Sequence, residues 1–157
     1  MRDRDATGRA RSARPRDALG RPLPRGEAGE PVLPDLIEVT PDWAVATAQD
    51  LLDSDRPFHA HEVLEAAWKA AGPDERDLWQ GLAQLAVGLT HARRGNARGA
   101  VTLLRRGAAR LTGYAGTSPH GIDVDGVHGR ADALAGEIEE RGLPAVPAGR
   151  LRLRLTR

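Results

Sequence analysis

The side chains best suited to chemistry lie close together in the middle of this chain. They are His61, Glu62, Glu65, Trp68, Gln80, Gln84 and His91. Imidazole and carboxylate groups are the commonest general acids and bases of enzymes, and both bind transition metals. A polar pocket that contains these side chains would therefore suit proton transfer or metal binding.

Helical spacing predicts how these side chains would meet. Residues four apart on a helix are neighbours, so His61 and Glu65 share a face if their segment is helical. If that helix and the next one fold back at residues 72–73, reflection sets His61 near Gln84 and Glu65 near Gln80. On this hypothesis, two polar stripes face each other across a helical hairpin.

As a metal motif the segment is weak. A zinc-binding helix has the pattern His-Glu-x-x-His, whereas Glu65 stands where the second histidine belongs. If a transition metal binds, its candidate ligands are His61, Glu65 and His91. Without a metal, His61 is a candidate base oriented by Glu62 or Glu65. The favoured alternative is structural: each polar stripe is the solvated side of an amphipathic helix, or a hydrogen-bonded layer that fixes helix register. Polar clusters also occur as structural networks of this kind.

Local signals predict the elements that would position these residues. A hydroxyl and a proline at 40–41 are typical of a helix start, and so is Pro57. We predict helices over about 40–52, 57–71, 74–94, 97–111 and 125–141. Short connections favour antiparallel neighbours, so the expected fold is a small all-α antiparallel bundle of four to five helices.

Two loops have interpretations that need no ligand. Gly95, Asn96 and Gly99 are typical of the turn of a helical hairpin, in which small residues allow close contact between helices. Asp123 and Asp125 lie near His120 and His128, but an aspartate before a helix most often caps it. We therefore expect Asp123 and Asp125 to cap the fifth helix.

The two ends of the chain differ from its middle. Residues 1–38 are rich in Arg, Pro and Gly and predict an extended arm, followed by a helical domain over 39–142. The tail, 143–157, alternates leucine and arginine over 151–155, as a strand would. Because no other strand is predicted, we expect an extended C-terminal arm that packs on the domain or pairs with the N-terminal arm.

Composition excludes several classes of function. There is no cysteine, which excludes disulfides and thiolate chemistry. No apolar run is long enough to span a membrane, and the N-terminus lacks the apolar core of a secretion signal, so we expect a cytoplasmic protein without a membrane partner. The net charge is +1, and no aromatic residue lies among the arginines of the fourth helix, so a nucleic-acid partner is not expected.

Three spaced motifs carry a family resemblance. Their residues are Phe58, His61, Glu62, Leu64, Glu65 and Trp68; Gln80, Gly81, Leu82, Gln84 and Ala86; and Gly95, Asn96, Gly99 and Ala100. Over about 47–111, the chain resembles the bacterial and archaeal family called domain of unknown function 309. The resemblance implies a small all-helical fold. It implies no activity, because the family has none assigned.

The functional expectation is a binding or adaptor module that acts through an unidentified protein partner or through self-association. It is motivated by the lack of a strong catalytic motif, by the hairpin-like core and by the arginine-rich arm. The first alternative is a small metal-dependent or acid–base enzyme with its site between the second and third helices. A weaker alternative is nucleic-acid binding through arginine-rich surfaces.

Overall fold

The structure, a computed structural model, describes residues 38–157 and, nearer the N-terminus, the backbone of 3–4 and 10–11. The remainder of the predicted N-terminal arm lies outside the described residues. Two short strands, β1 (Asp3–Arg4) and β2 (Ala10–Arg11), pair antiparallel. The helices are α1 (Pro41–Asp53), α2 (Pro57–Ala70), α3 (Arg76–Arg93), α4 (Ala97–Leu111) and α5 (Val124–Arg141).

The helices begin where local chemistry favours a start. The Thr40 hydroxyl accepts a hydrogen bond from the Trp43 amide (3.2 Å), and proline occupies the first turn of both α1 and α2. The Asn96 side chain caps α4 by accepting from the Gly99 amide at 3.0 Å. Each predicted helix is present with its ends within about two residues of the prediction, so the all-α fold is confirmed.

Packing follows chain order, since each helix contacts the next one along the sequence. The apolar stripes of all five helices enter one core, with Trp79 its largest fully buried side chain. Burying each such side chain contributes roughly 1.5–3 kcal/mol. Among the described residues, no helix is both long and apolar enough to cross a bilayer.

The contact between α3 and α4 is unusually close. A Cβ atom added to Gly81 would lie 3.0 Å from the Gly107 carbonyl oxygen, and one added to Gly107 would lie 2.7 Å from the Gly81 oxygen. Gly88 has a similar position against Leu104 and the Ala100 carbonyl. The two backbones therefore meet where neither helix has a side chain, and this fixes which face of α3 is turned towards α4.

The end of the C-terminal tail, residues 152–157, packs on the domain as an extended segment, which was one of the two expectations for the tail. Residues 143–145 and 148–151, which were also expected to be extended, form short 3₁₀ turns. Leu153 and Leu155 are buried, and Arg152 and Arg154 are exposed. An isolated antiparallel bridge joins Thr156 to Ile122. The tail thus adds its leucines to the core, although it belongs to none of the helices.

Candidate functional site

Apart from the buried His59, the polar residues of α2 lie on the side of the helix that faces away from the core. At about 100° per residue, one arc of the helix carries the set that we call the motif face. It consists of Phe58, His61, Glu62, Glu65, Trp68 and Lys69. All of these side chains are half-buried except Lys69, which is exposed. The opposite arc supplies the core, through Ala60, Val63, Leu64 and Ala67.

Glu65 is held at the centre of the motif face by two neighbours. Its Oε2 atom lies 3.1 Å from His61 Nε2, and its Oε1 atom lies 3.3 Å from Lys69 Nζ. Both partners are four residues away, the spacing at which helical side chains meet. The predicted contact between His61 and Glu65 is therefore present.

The surroundings of Glu65 strongly favour its ionised form. The hydrogen bond from His61 is the main cause, and with the charges of His61 and Lys69 it outweighs the opposing effect of burial. Together they lower the pKa of Glu65 from 4.5 to about 2. The carboxylate is thus a fixed negative charge on the motif face at any physiological pH.

This lowered pKa predicts a specific response to acid. Because the pKa of Glu65 is lower in the folded than in the unfolded state, its contribution to stability is complete above pH 4.5 and is lost as pH falls towards about 2. We expect Glu65→Gln to lower the free energy of unfolding at pH 7 by about 1–2 kcal/mol, allowing for solvent screening. At pH 2 the two proteins should be equally stable, as measured by urea titration at several pH values.

The exposed α5 residue Glu140 provides the matched control for this prediction. Glu140→Gln should leave the free energy of unfolding within about 0.5 kcal/mol at each pH. A difference between wild type and Glu65→Gln that stays constant from pH 7 to pH 2 would contradict the assignment to Glu65.

His61 has its second ring nitrogen directed into the protein. Its Nδ1 atom is buried and has no hydrogen-bond partner within the described part of the chain. The ring lies against Phe58, with centroids 5.7 Å apart and planes tilted by 50°. With Nε2 turned to Glu65 and Nδ1 buried, His61 has no ring nitrogen that is both exposed and unoccupied.

His59 lies on the core side of α2, away from His61, as its position in the sequence predicts. Its side chain is 6% exposed, and neither ring nitrogen has a hydrogen-bond partner among the residues that the structure describes. The Phe58 ring meets it edge-on at a centroid distance of 6.0 Å. Burial of a polar group without a partner costs about 1–3 kcal/mol.

Removing this uncompensated polar group should stabilise the fold. We expect His59→Leu, which keeps a similar side-chain volume, to raise the free energy of unfolding by about 1–2 kcal/mol. Urea titration at pH 7 measures the change. His128→Leu, at a half-buried position of α5, is the control and should change stability by less than about 0.5 kcal/mol. A loss of stability in His59→Leu would show that the ring makes a contact that leucine cannot replace.

The polar stripe of α3 has partners on α4. The Gln84 side-chain oxygen accepts a hydrogen bond from Arg110 Nε at 3.1 Å, and Arg110 also pairs with Asp77 at 3.0 Å. His91 Nδ1 lies 3.1 Å from the Asn96 side-chain nitrogen, in the turn before α4. From the fold-back of the chain at residues 72–73, we had predicted that Gln84 lies near His61.

Gln84 and His91 contact α4 and its preceding turn because the glycines of α3 determine which face of α3 packs against α4. Gly81 and Gly88 turn towards α4, and Gln84 and His91 each follow a glycine by three residues on that side of α3. Gln80 is half-buried, one position before Gly81. Gln84 and His91 thus contact α4 and the turn before it. That the polar residues of α2 and Gln80 form a pocket between α2 and α3 stays a prediction.

The described residues offer no ready-made metal site. Nowhere in that part of the chain do three or more His, Asp or Glu side chains come close enough to hold an ion together. Of the three candidate ligands, His61 and Glu65 meet, whereas His91 lies in the turn that leads to α4. The hypothesis of a transition metal therefore gains no support from geometry.

A second polar cluster, which no pattern in the sequence predicted, lies where the loop before α5 meets the start of α3. His120 Nε2 lies 2.9 Å from both carboxylate oxygens of Glu75, and the Trp79 indole donates to the same carboxylate at 3.2 Å. The hydrogen bond with His120 is the main reason that the pKa of Glu75 is lowered. Glu75 and His120 are 45 residues apart, and no motif in the sequence links them.

Asp123 has the role expected of it, since its side chain accepts a hydrogen bond from the Gly126 amide (3.2 Å) at the start of α5. Asp125 instead accepts from the Gly116 amide, which anchors the preceding loop. Within the described residues, no interaction joins His120 to His128. His128 instead lies 3.7 Å from Asp132, its neighbour on α5.

The motif residues on α2, α3 and the α3–α4 turn match a known family. Residues 45–103 match the model of Domain of unknown function (DUF309). The resemblance drawn from the three motifs is thereby confirmed. The DUF309 match covers most of α1, all of α2 and α3 and the first part of α4, so the motif face lies entirely within it.

One curated protein is similar to part of this chain. The "Uncharacterized protein YpuF" of Bacillus subtilis (strain 168) is 48% identical over 48 residues. The aligned stretch covers 30% of this chain and 28% of that protein. No solved structure has a significant match to the chain.

Proposed function

We propose that this chain is a binding module that contacts a protein partner, or a second copy of itself, through the motif face of α2. The observation that carries the proposal is the arrangement around Glu65. An ionised carboxylate is fixed between His61 and Lys69, and two half-buried aromatic side chains, Phe58 and Trp68, lie on the same face. Aromatic anchors beside a preorganised charge are typical of protein-binding surfaces.

The chemistry of the face fits a partner that carries a basic side chain next to an apolar one. On α2 itself, the acidic side chains of this face are Glu62 and Glu65, and its base is Lys69. Because Glu65 is already held in position, little side-chain entropy is lost when a partner binds it. Phe58 and Trp68 would contribute apolar area to such an interface.

The acid–base alternative has less support. A general base works best with a pKa near the working pH, and a carboxylate with a pKa of about 2 is a poor proton acceptor at pH 7. His61 would have to act through a nitrogen that either faces Glu65 or is buried. Metal-dependent catalysis predicts one equivalent of a transition metal in protein purified without chelator or tag, and its loss in His61→Ala.

Nucleic-acid binding through the arginines of α4 also has less support. Arg105 pairs with Glu139, and Arg110 pairs with Asp77, so neighbouring acids already neutralise these two side chains. An arginine already paired in this way gains less from binding a phosphate. This alternative predicts retention on a polyanion column that falls steeply with salt.

The chain contains no cysteine, so a single introduced thiol can carry a photoreactive label at one chosen position. We would label the full chain at Ala66→Cys, beside the motif face, or at Ala133→Cys, an exposed position of α5, as a matched control. Irradiation in extract from cells that express the chain should give a discrete adduct only with the Ala66 label. An adduct of twice the chain mass identifies self-association.

A substitution on the motif face tests whether the adduct forms through that face. Phe58→Ala, combined with the Ala66 label, should reduce the adduct at least fivefold if the face is the interface. Equal adducts from the Ala66 and Ala133 labels, or an Ala66 adduct that Phe58→Ala leaves unchanged, would contradict the proposal. Circular dichroism of each variant establishes that the helices are retained.

A further inference from the structure

Residues 152–157 lie extended in a groove between α1 and the start of α5, after a 3₁₀ turn that ends at Leu151. Leu153 and Leu155 point into the core and are 4% and 1% exposed. Arg152 and Arg154 alternate with them and are exposed. We call this groove the tail groove. Its occupant, residues 151–157, is held as a bound peptide would be, by alternate side chains and by its backbone.

The backbone of the tail is recognised by one buried side chain, Gln49 of α1. Its Nε2 atom donates to the Leu153 carbonyl at 3.1 Å, and its Oε1 atom accepts from the Leu155 amide at 2.7 Å. A primary amide that offers a donor and an acceptor in this way replaces the neighbouring strand of a sheet. Asp53 accepts a further hydrogen bond from Nε2 at 3.0 Å and orients the amide.

The loop before α5 binds the tail as well. The Asp123 amide donates to the Leu155 carbonyl at 2.8 Å, and Ile122 forms an antiparallel bridge with Thr156. Together with Gln49, these contacts satisfy the buried backbone groups of Leu155. None of them depends on the covalent link between the tail and α5.

The rim of the tail groove is acidic, and the tail is basic. Arg152 makes two hydrogen bonds to the Asp55 carboxylate, at 2.9 and 3.1 Å, and they are the main reason that the pKa of Asp55 is lowered. Arg154 pairs with Asp53 (3.7 Å) and Arg157 with Asp123 (3.8 Å). Just before the tail, Arg150 pairs with Glu137 (2.9 Å). This complementarity favours an extended segment of alternating leucine and arginine over other peptides.

The segment that connects α5 to the tail is able to extend away from its own domain. It begins at Gly142, where φ is +81°, and continues through two short 3₁₀ turns, 143–145 and 148–151. Most of its residues are exposed, and its contacts with the core are made by the half-buried side chains of Leu143 and Val146. If extended, residues 142–150 would span roughly 30 Å, about the diameter of a domain of this size. The tail can therefore reach a neighbouring molecule.

We propose that the tail groove is an exchangeable site that also binds residues 151–157 of a second copy of this chain. Reciprocal exchange retains the contacts that Gln49 and Asp123 make with the tail and the ion pairs of Arg152, Arg154 and Arg157. The contacts of the connection, including the Arg150–Glu137 pair, are given up when its path changes. Exchange of an identical element is a low-cost route to a dimer. The site lies apart from the motif face and does not depend on the function proposed for it.

Cross-linking between chains tests this proposal. Asp53→Cys places a thiol on the groove, and Arg154→Cys places one on the tail, at two exposed positions that pair in the structure. Equal amounts of the two full-length variants are mixed over a range of concentrations and treated with a bis-maleimide of about 10 Å reach. We expect a heterodimer that increases with concentration and exceeds, by at least tenfold, the product with Gly129→Cys in place of Asp53→Cys.

Two further variants test whether the heterodimer forms through exchange of the tail. Leu155→Asp on the Arg154→Cys chain removes an apolar anchor of the tail and should abolish the heterodimer. The double variant Asp53→Cys/Arg154→Cys should give intramolecular product when dilute and intermolecular product when concentrated. The proposal is overturned if the double variant gives only intramolecular product up to about 1 mM, or if Leu155→Asp leaves the heterodimer unchanged.

Discussion

Replacement of Gln49 by leucine is expected to lower the free energy of unfolding by about 3 kcal/mol. Leucine has a similar volume but offers no partner to the Leu153 carbonyl or the Leu155 amide, which both lie in the core. Each buried backbone group left without a hydrogen bond costs about 1–3 kcal/mol. Urea titration at pH 7 measures the loss.

The tail itself provides a second readout of this change. When Gln49 no longer holds it, trypsin should cleave at the arginines of residues 150–154 several-fold faster than in wild type, because local release precedes cleavage. Gln84→Leu is the matched control, since Gln84 makes one half-buried hydrogen bond to Arg110, and it should cost about 1 kcal/mol or less. Equal losses in the two variants would contradict the role assigned to Gln49.

Gly107→Ala is expected to lower the free energy of unfolding by about 2–3 kcal/mol. The added methyl group would lie 2.7 Å from the Gly81 carbonyl oxygen and from a Leu85 methyl group. The first of these contacts is with backbone, which cannot turn aside as a flexible side chain can. The helices α3 and α4 must therefore separate, and overpacking of this kind costs about 1–3 kcal/mol.

Gly129→Ala, on α5, is the control for this substitution. A Cβ atom there would meet no other atom within 4 Å, so alanine should stabilise the helix by about 0.5–1 kcal/mol. The two substitutions make the same chemical change in a helix, and opposite signs in urea titration would isolate the effect of close packing. If both variants are stabilised, the contact of α3 with α4 is looser than described.

The two proposed surfaces differ in what binds them. The motif face of α2 would bind its partner through a fixed carboxylate and two aromatic side chains. The tail groove recognises backbone, through Gln49, and charge, through its acidic rim. Substitutions at Phe58 therefore should not alter tail exchange, and substitutions at Leu155 should not alter contacts made by the motif face.

Signals within a few residues were enough to predict the elements of this protein. The Thr40 cap, the proline at the start of α2 and the turn at Gly95 each act through their own backbone or the next turn. The contact between His61 and Glu65 was predictable for the same reason, because four-residue spacing on one helix settles it. The alternation of leucine and arginine over 151–155 likewise indicated a strand-like end of the chain, where Leu153 and Leu155 are buried.

Tertiary structure alone decided how those elements meet. In the sequence, Gln49 is an ordinary polar residue of α1; it is buried because a segment 104–106 residues away lies across it. Gln84 bonds to α4 because close approach at the glycines selects that face of α3. Glu75 meets His120 only when the loop before α5 folds over the start of α3. Helical periodicity fixes neighbours within one helix, whereas contacts between distant segments depend on the packing of the whole bundle.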